Sequence, residues 1–198
     1  MLLEWRDVAP VPDRCPELKI WTSLTVNETA TLRQLAKNKR VIEVGAAFGY
    51  STVVLASVAV AVTSIDPHTT PVALGNFNFA TAEDLGRYSS GTLKTLIHNL
   101  LTAKLPDVEI VCGLSQDVLP TFSGLYEFAF IDGDHGLAIA MQDLYHCARL
   151  GVTTIAVHDY REDLNPYVAP AVIEWLNHNP DWRMTDLVDT LALLEKQP

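Results

Sequence analysis

Long apolar runs are missing from this chain. None reaches the roughly 18 uninterrupted residues of a membrane-spanning helix. The longest, Val53 to Val62, is short and alanine-rich and reads as a core helix running into a strand. Basic charge is also scarce: 14 Lys and Arg stand against 24 Asp and Glu, for a formal net charge of -10. A polyanion partner needs a basic patch. The one small cluster, Arg33, Lys37, Lys39 and Arg40, reads as charge at a helix C-terminus that favours the macrodipole. Neither nucleic acid nor membrane is an expected partner. Cysteine is sparse and odd in number: Cys15, Cys112 and Cys147 lie far apart. Cys112 falls in an apolar strand and Cys147 on a helical pattern. Buried or free thiols are expected, not a disulfide framework or a zinc site. That suits a reducing, cytoplasmic setting. The start, MLLEWRDVAP, has no basic segment leading into an apolar stretch, so no secretory signal is expected. There is no internal repeat and no low-complexity tract.

What is present is core material. Hydrophobic residues make up 48% of 198 residues, enough for one domain, since a single core is typical up to roughly 250 residues. Residues 1–21, with Pro10, Pro12 and Pro16, read as an N-terminal arm. Residues 22–198 read as a single domain. Thr25 to Glu28 has capping-box spacing, and Leu32, Leu35 and Ala36 continue one helical face. β-Branched runs predict strands at 40–44, 61–65, 108–112, 128–131 and 153–157. Helices are expected at about 50–57, from 90 or 92 onward, at 137–150 and at 169–177, with a turn and short helix over 113–120. The tail WRMTDLVDTLALLE divides at Asp189 into a hairpin. Residues 67–91 show no clear period. A long loop inside a compact domain is commonly a lid or binding loop. Phe77, Phe79 and Tyr88 in it, with Tyr160 and Trp175, could line a pocket or serve as core. Strands alternating with helices imply a parallel sheet covered on both faces.

The stretch VIEVGAAFGYST carries the strongest signal. A buried strand with one acid, Glu43, meets a glycine turn, Gly45 to Gly49, and then a helix start. That arrangement lets backbone approach a nucleotide-like ligand. Roughly twenty residues on, Asp66 ends the next strand, where an acid can hold two ribose hydroxyls. The spacing G-x-x-x-G is not the G-x-G-x-x-G of dinucleotide sites. Further polar groups fall at the other strand tips: Ser115-Gln116, Asp132-Gly133-Asp134-His135 and His158-Asp159-Tyr160. Ligands in open α/β sheets sit beyond these carboxyl ends. Two bland readings remain open. Ser115 could be a plain helix N-cap, and Asp134 could cap the helix that follows it.

Glu43, the two glycines and Asp66 resemble the S-adenosylmethionine site of class I methyltransferases. The segments IDGDH and HDY resemble their small-molecule O-methyltransferase branch. The resemblance covers about residues 22–195. It implies an α/β, Rossmann-like fold with a seven-stranded, mostly parallel sheet, helices on both faces and an antiparallel C-terminal hairpin. It implies S-adenosylmethionine as cofactor, bound by Glu43, Gly45, Ala46, Gly49, Tyr50, Ser51, Asp66, Ser115 and Asp132. Many enzymes of the branch hold a divalent cation, which places Asp132, His158 and Asp159 as Mg²⁺ ligands. His135, His158 and Asp132 are then the catalytic residues, with a histidine as the general base. His158 stands where catechol-type relatives have Asp, and imidazole is softer than Mg²⁺ prefers; metal dependence stays open. The Asp/Asn-Pro-Pro-aromatic tetrapeptide of amino-methylating DNA enzymes is absent.

The reaction implied is methyl transfer to a hydroxyl of a small molecule, with a homodimer compatible. Three other readings remain: methylation at nitrogen, a nucleotide-cofactor oxidoreductase, and a non-catalytic module that keeps the pocket. The missing third glycine and Glu43 argue against the oxidoreductase. The polar tips after Ile131 and Val157 argue against the silent module.

Overall fold

β-Branched alternation explains how the central strands can be buried on both sides. In the computed structural model, which describes residues 6–7, 19–20, 22–68, 92–105, 107–161 and 165–197, side chains on successive residues point to opposite faces of one sheet. Val41, Phe128, Phe130 and Ala156 pack on one face with Leu32, Val53 and Leu96 from helices. Ile42, Val44, Ala129, Ile131, Ile155 and Val157 pack on the other with Leu144, Val172 and Trp175.

The strands are β1 (Arg6–Asp7), β2 (Lys19–Ile20), β3 (Arg40–Val44), β4 (Ala61–Asp66), β5 (Val108–Cys112), β6 (Phe128–Ile131), β7 (Thr154–Val157), β8 (Trp182–Val188) and β9 (Leu191–Lys196). The helices are α1 (Val26–Ala36), α2 (Tyr50–Ala56), α3 (Thr92–Thr102), α4 (Ser115–Val118), α5 (Leu137–Arg149) and α6 (Val168–His178). The seven-stranded sheet has the order β5-β4-β3-β6-β7-β9-β8. β3 to β7 are mutually parallel. β9 runs antiparallel to both β7 and β8. The order reverses at β3, between β4 and β6, so the connections after β3 and β6 diverge and leave a crevice above the strand ends.

Most expected elements stand where the sequence puts them, within a residue or two at their ends. The capping box is complete: Thr25 accepts from Glu28 N, and Glu28 accepts from Thr25 N. Two of the alternative readings left open by the sequence are ruled out. α4 begins at Ser115 with Leu114 as its N-cap and no side-chain cap, so Ser115 is not a capping residue. Asp134 does not cap α5; Gly136 is the N-cap, and Asp134 Oδ1 instead accepts from Gly136 N at 2.6 Å. The expectation of buried or free thiols holds for both described cysteines: Cys112 is free and exposed, and Cys147 is free and buried. β1 and β2 form a small antiparallel pair within the expected arm. The rest of that arm, Cys15, and the expected loop from 69 to 91 with Phe77, Phe79 and Tyr88 lie outside the described residues. No described helix is long and apolar enough to cross a membrane.

Candidate active site

At the β3 tip the chain must turn sharply between β4 and β6. Gly45 (φ +93°) and Gly49 (φ +88°) adopt a backbone region that side chains disfavour. Both are also hemmed in by protein. A Cβ on Gly45 would sit 2.0 Å from the Asp132 carbonyl oxygen, and one on Gly49 would sit 2.3 Å from Leu96 Cδ1. The glycines are thus required by the turn itself, before any ligand is considered.

Glu43 is fully buried under α2. Its Oε2 accepts from Thr52 Oγ1 and Ser64 Oγ, each at 2.6 Å. Burial pushes its carboxyl up to about 7, against the hydroxyls of Ser51, Ser64 and Thr52. Asp66 grips the glycine turn: Oδ2 accepts from Ala46 N at 3.0 Å and Ala47 N at 2.8 Å, and Oδ1 accepts from His68 N at 2.7 Å. A carboxylate offers about four acceptor sites, and these three amides, with His68 Nδ1 3.5 Å from Oδ1, take up most of them. The Tyr50 ring is buried, with its hydroxyl 3.2 Å from Thr29 Oγ1 on α1. Any ligand contact by Tyr50 therefore falls to its backbone. Ser51 and Ser115 are buried beside this end of the sheet.

The β6 and β7 tips bring four titratable groups together. His158 Nδ1 lies 3.2 Å from Asp132 Oδ1 and 3.6 Å from Asp159 Oδ2. His135 Nε2 lies 3.2 Å from Asp159 Oδ2 and 3.8 Å from Asp132 Oδ1. Burial disfavours charge on both imidazoles, yet the flanking carboxylates win. Asp132 and Asp159 raise His135 to about 9. Asp132, then Asp159 and Glu28, hold His158 well above the usual imidazole range. In return the histidines hold Asp159 well below the usual carboxylate range, against its burial. Asp159 is in a left-handed conformation, φ +58°. Strain of this kind costs on the order of 1 kcal/mol or more and clusters at functional sites.

The donor set is two carboxylates and one imidazole; the oxygens suit a hard cation, and the imidazole is a softer ligand. One ligand atom from each of Asp132, His158 and Asp159 lies within 4.8 Å of the others. Oxygens and nitrogens bound to one Mg²⁺-sized ion sit about 3 Å apart, close to the spacings seen. A ligating imidazole turns its second nitrogen to a carboxylate, and His158 Nε2 faces Glu28 at 3.4 Å.

The expected site residues thus fall into two neighbouring groups. Glu43, Gly45, Ala46, Gly49, Ser51 and Asp66 gather around the β3 and β4 tips; Asp132, His135, His158 and Asp159 gather at the β6 and β7 tips. The Asp132 backbone against Gly45 joins them. Sequence reasoning missed two residues. His68 reaches Thr92 Oγ1 at 2.9 Å and so ties the β4 tip to α3; its place two positions after a strand-tip acid was the available signal. Glu28 was read as a capping residue only, and nothing local connects it to His158.

Comparison with known proteins agrees with this geometry. The chain overlays on cofactor-bound Rv0187 from MTB with a TM-score of 0.67 at 20% identity, covering 88% of this chain and 82% of that one. For the O-methyltransferase NovP the TM-score is 0.70 at 17% identity, covering 93% and 86%. For the O-methyltransferase from Bacillus cereus in complex with SAH it is 0.64 at 17% identity, covering 88% and 83%. These overlays establish the Rossmann-like methyltransferase fold. No curated protein matches the chain in sequence. A family model described as a methyltransferase domain matches residues 42–160, from the middle of β3 to just past the β7 tip. Both halves of the site fall inside that match, and the chain belongs to the methyltransferase-domain family of class I methyltransferases.

Proposed function

We propose that this methyltransferase uses S-adenosylmethionine to methylate a hydroxyl of a small molecule, with a divalent cation at Asp132, Asp159 and His158. The observation that carries the reading is the meeting of two aspartates and two histidines directly beside the glycine turn. The cofactor supplies an electrophilic methyl group, and a bound cation makes an acceptor hydroxyl more acidic.

The chain's own residues do the remainder. Asp66 and the 45–47 turn hold the nucleoside end, with Ser115 bordering the base. Glu43 orders the turn at the methionine end through Thr52 and Ser64. Asp132 and Asp159 orient the acceptor oxygen in line with the methyl group, since positioning supplies much of the rate in such a displacement. His135 is the partly exposed histidine of the group (26%); with its pKa raised to about 9 it holds a proton at neutral pH and can take the acceptor proton only after giving that one up. His158 is only 2% exposed, with carboxylates at both nitrogens. It therefore serves as a holder and not as a base, which narrows the sequence-based expectation.

Calorimetric titration of S-adenosylhomocysteine with Mg²⁺ and with a chelator, followed by methyl-transfer assays on hydroxyl and amine acceptors, tests this. Saturable binding and Mg²⁺-stimulated transfer to hydroxyl acceptors are expected. Absence of cofactor binding under both conditions sinks the reading. Transfer to amines alone replaces oxygen with nitrogen.

A further inference from the structure

The Glu28 carboxylate is more deeply placed than a helix cap requires. A capping box needs only its reciprocal bond with the N-cap residue and normally sits at the surface. Glu28 is 0% exposed, and a buried carboxylate is costly unless its oxygens are satisfied. Here they are satisfied by one local amide and one distant turn, with His158 facing them. Oε2 accepts from Thr25 N at 2.7 Å. Oε1 accepts from Thr190 N at 2.9 Å and Thr190 Oγ1 at 2.7 Å, in the β8–β9 turn. That turn also holds the β7 tip, since Tyr160 N donates to Thr190 O at 2.9 Å. The remaining neighbour is His158 Nε2, 3.4 Å from Oε2. No other carboxylate pairs with that nitrogen among the described residues.

We infer that Glu28 is a positioning residue of the active site: it fixes the His158 ring through Nε2 and thereby aims Nδ1 at Asp132 and Asp159. An imidazole held by a carboxylate at one nitrogen has its tautomer and plane set at the other, and loss of such outer partners typically lowers metal affinity or activity. The inference rests on the proposed site only for what Nδ1 is aimed at; the ring's anchoring stands separately.

Glu28→Gln is the informative change. Glutamine keeps the side chain's size and can still accept from Thr190 through its one carbonyl oxygen, but its amide nitrogen takes the place of Oε2, which removes the bond from Thr25 N and the charge facing Nε2. The His158 ring is followed by ¹⁵N-resolved NMR at one fixed pH, with Mn²⁺ and S-adenosylhomocysteine titrations alongside. In the wild type we expect one ring orientation with Nε2 protonated. In Glu28→Gln we expect shifted or broadened ring signals and Mn²⁺ affinity lowered roughly 10–100-fold, with S-adenosylhomocysteine affinity unchanged. An unmoved ring in a folded Glu28→Gln protein overturns the inference and leaves Glu28 as a cap. If the wild type takes up no Mn²⁺, the ring signals alone decide. If Glu28→Gln does not fold, Thr190→Val carries the test: it loosens the carboxylate while keeping its charge, and an unmoved ring there is equally fatal. Failure of the wild type to bind S-adenosylhomocysteine would sink the proposed function while leaving the ring result intact.

Discussion

The two halves of the active site satisfy their acids by different means. At the β3 and β4 tips, Glu43 and Asp66 accept from uncharged groups, namely hydroxyls and backbone amides. At the β6 and β7 tips, Asp132 and Asp159 face two histidines. Neutral donors do not offset the burial of Glu43, whose carboxyl rises to about 7. The imidazoles do offset it for Asp159, whose carboxyl falls well below its usual range. The half proposed for the cofactor is therefore held by uncharged donors. The half proposed for the acceptor is held by close pairs between histidines and carboxylates.

Substitutions can break that contrast. The largest effect is expected at the join between the halves. Gly45→Ala places a Cβ against the Asp132 carbonyl in a left-handed turn. It should cost more than about 3 kcal/mol in chemical denaturation, and a wild-type midpoint would show that the two tips are not in contact. Next is Glu43. Its folded pKa of about 7 lies above the ordinary carboxyl value of 4.5, so the native state keeps a proton that the unfolded chain releases between those pH values. Stability should fall as pH rises from 4.5 to 7, by on the order of 3 kcal/mol from this group. Glu43→Gln should flatten that part of the curve; parallel wild-type and variant slopes would count against a neutral Glu43. Glu28 has the opposite sign: burial alone would raise its pKa, but His158, Thr25 and Thr190 bring it down to about 2. Its contribution is complete above 4.5 and is lost as pH falls toward 2.

Asp159→Asn removes one carboxylate from the acceptor half. Methyl transfer should drop about 100-fold or more, with S-adenosylhomocysteine affinity little changed; equal turnover would remove Asp159 from the mechanism. The smallest effect is expected for Asp66→Asn, which exchanges one acceptor oxygen for a donor. Stability should fall by about 1–2 kcal/mol, and S-adenosylhomocysteine should bind more weakly. Unchanged affinity would mean that Asp66 serves only the turn.

The parts of this molecule that could be read from the sequence are those decided locally. The run RVIEV forms β3 because β-branched residues suit a strand buried on both faces. Thr25 and Glu28 close their box within one turn. The polar strand tips could be placed because parallel strands all end on the same side. What could not be read depends on which neighbour arrives. Asp134 turns back to Gly136 N and leaves the α5 cap to glycine. Asp66 binds the turn amides, and no spacing distinguishes that from the ribose role the sequence suggests. Glu28 meets His158 only because the β8–β9 turn and the β7 tip close over α1.

The position of β9 has a consequence for the order of assembly. β9 lies between β7 and β8, and β8 pairs with nothing else in the sheet. The hairpin must therefore dock as a unit, after β7 is in place. Thr190, which completes the surroundings of Glu28, sits at its apex. Glu28 on α1 and Thr190 at this apex are bonded although 162 positions separate them in the chain, so the buried acid has its final partners only once the hairpin has docked. The bond from Tyr160 N to Thr190 O fixes the β7 tip in the same step.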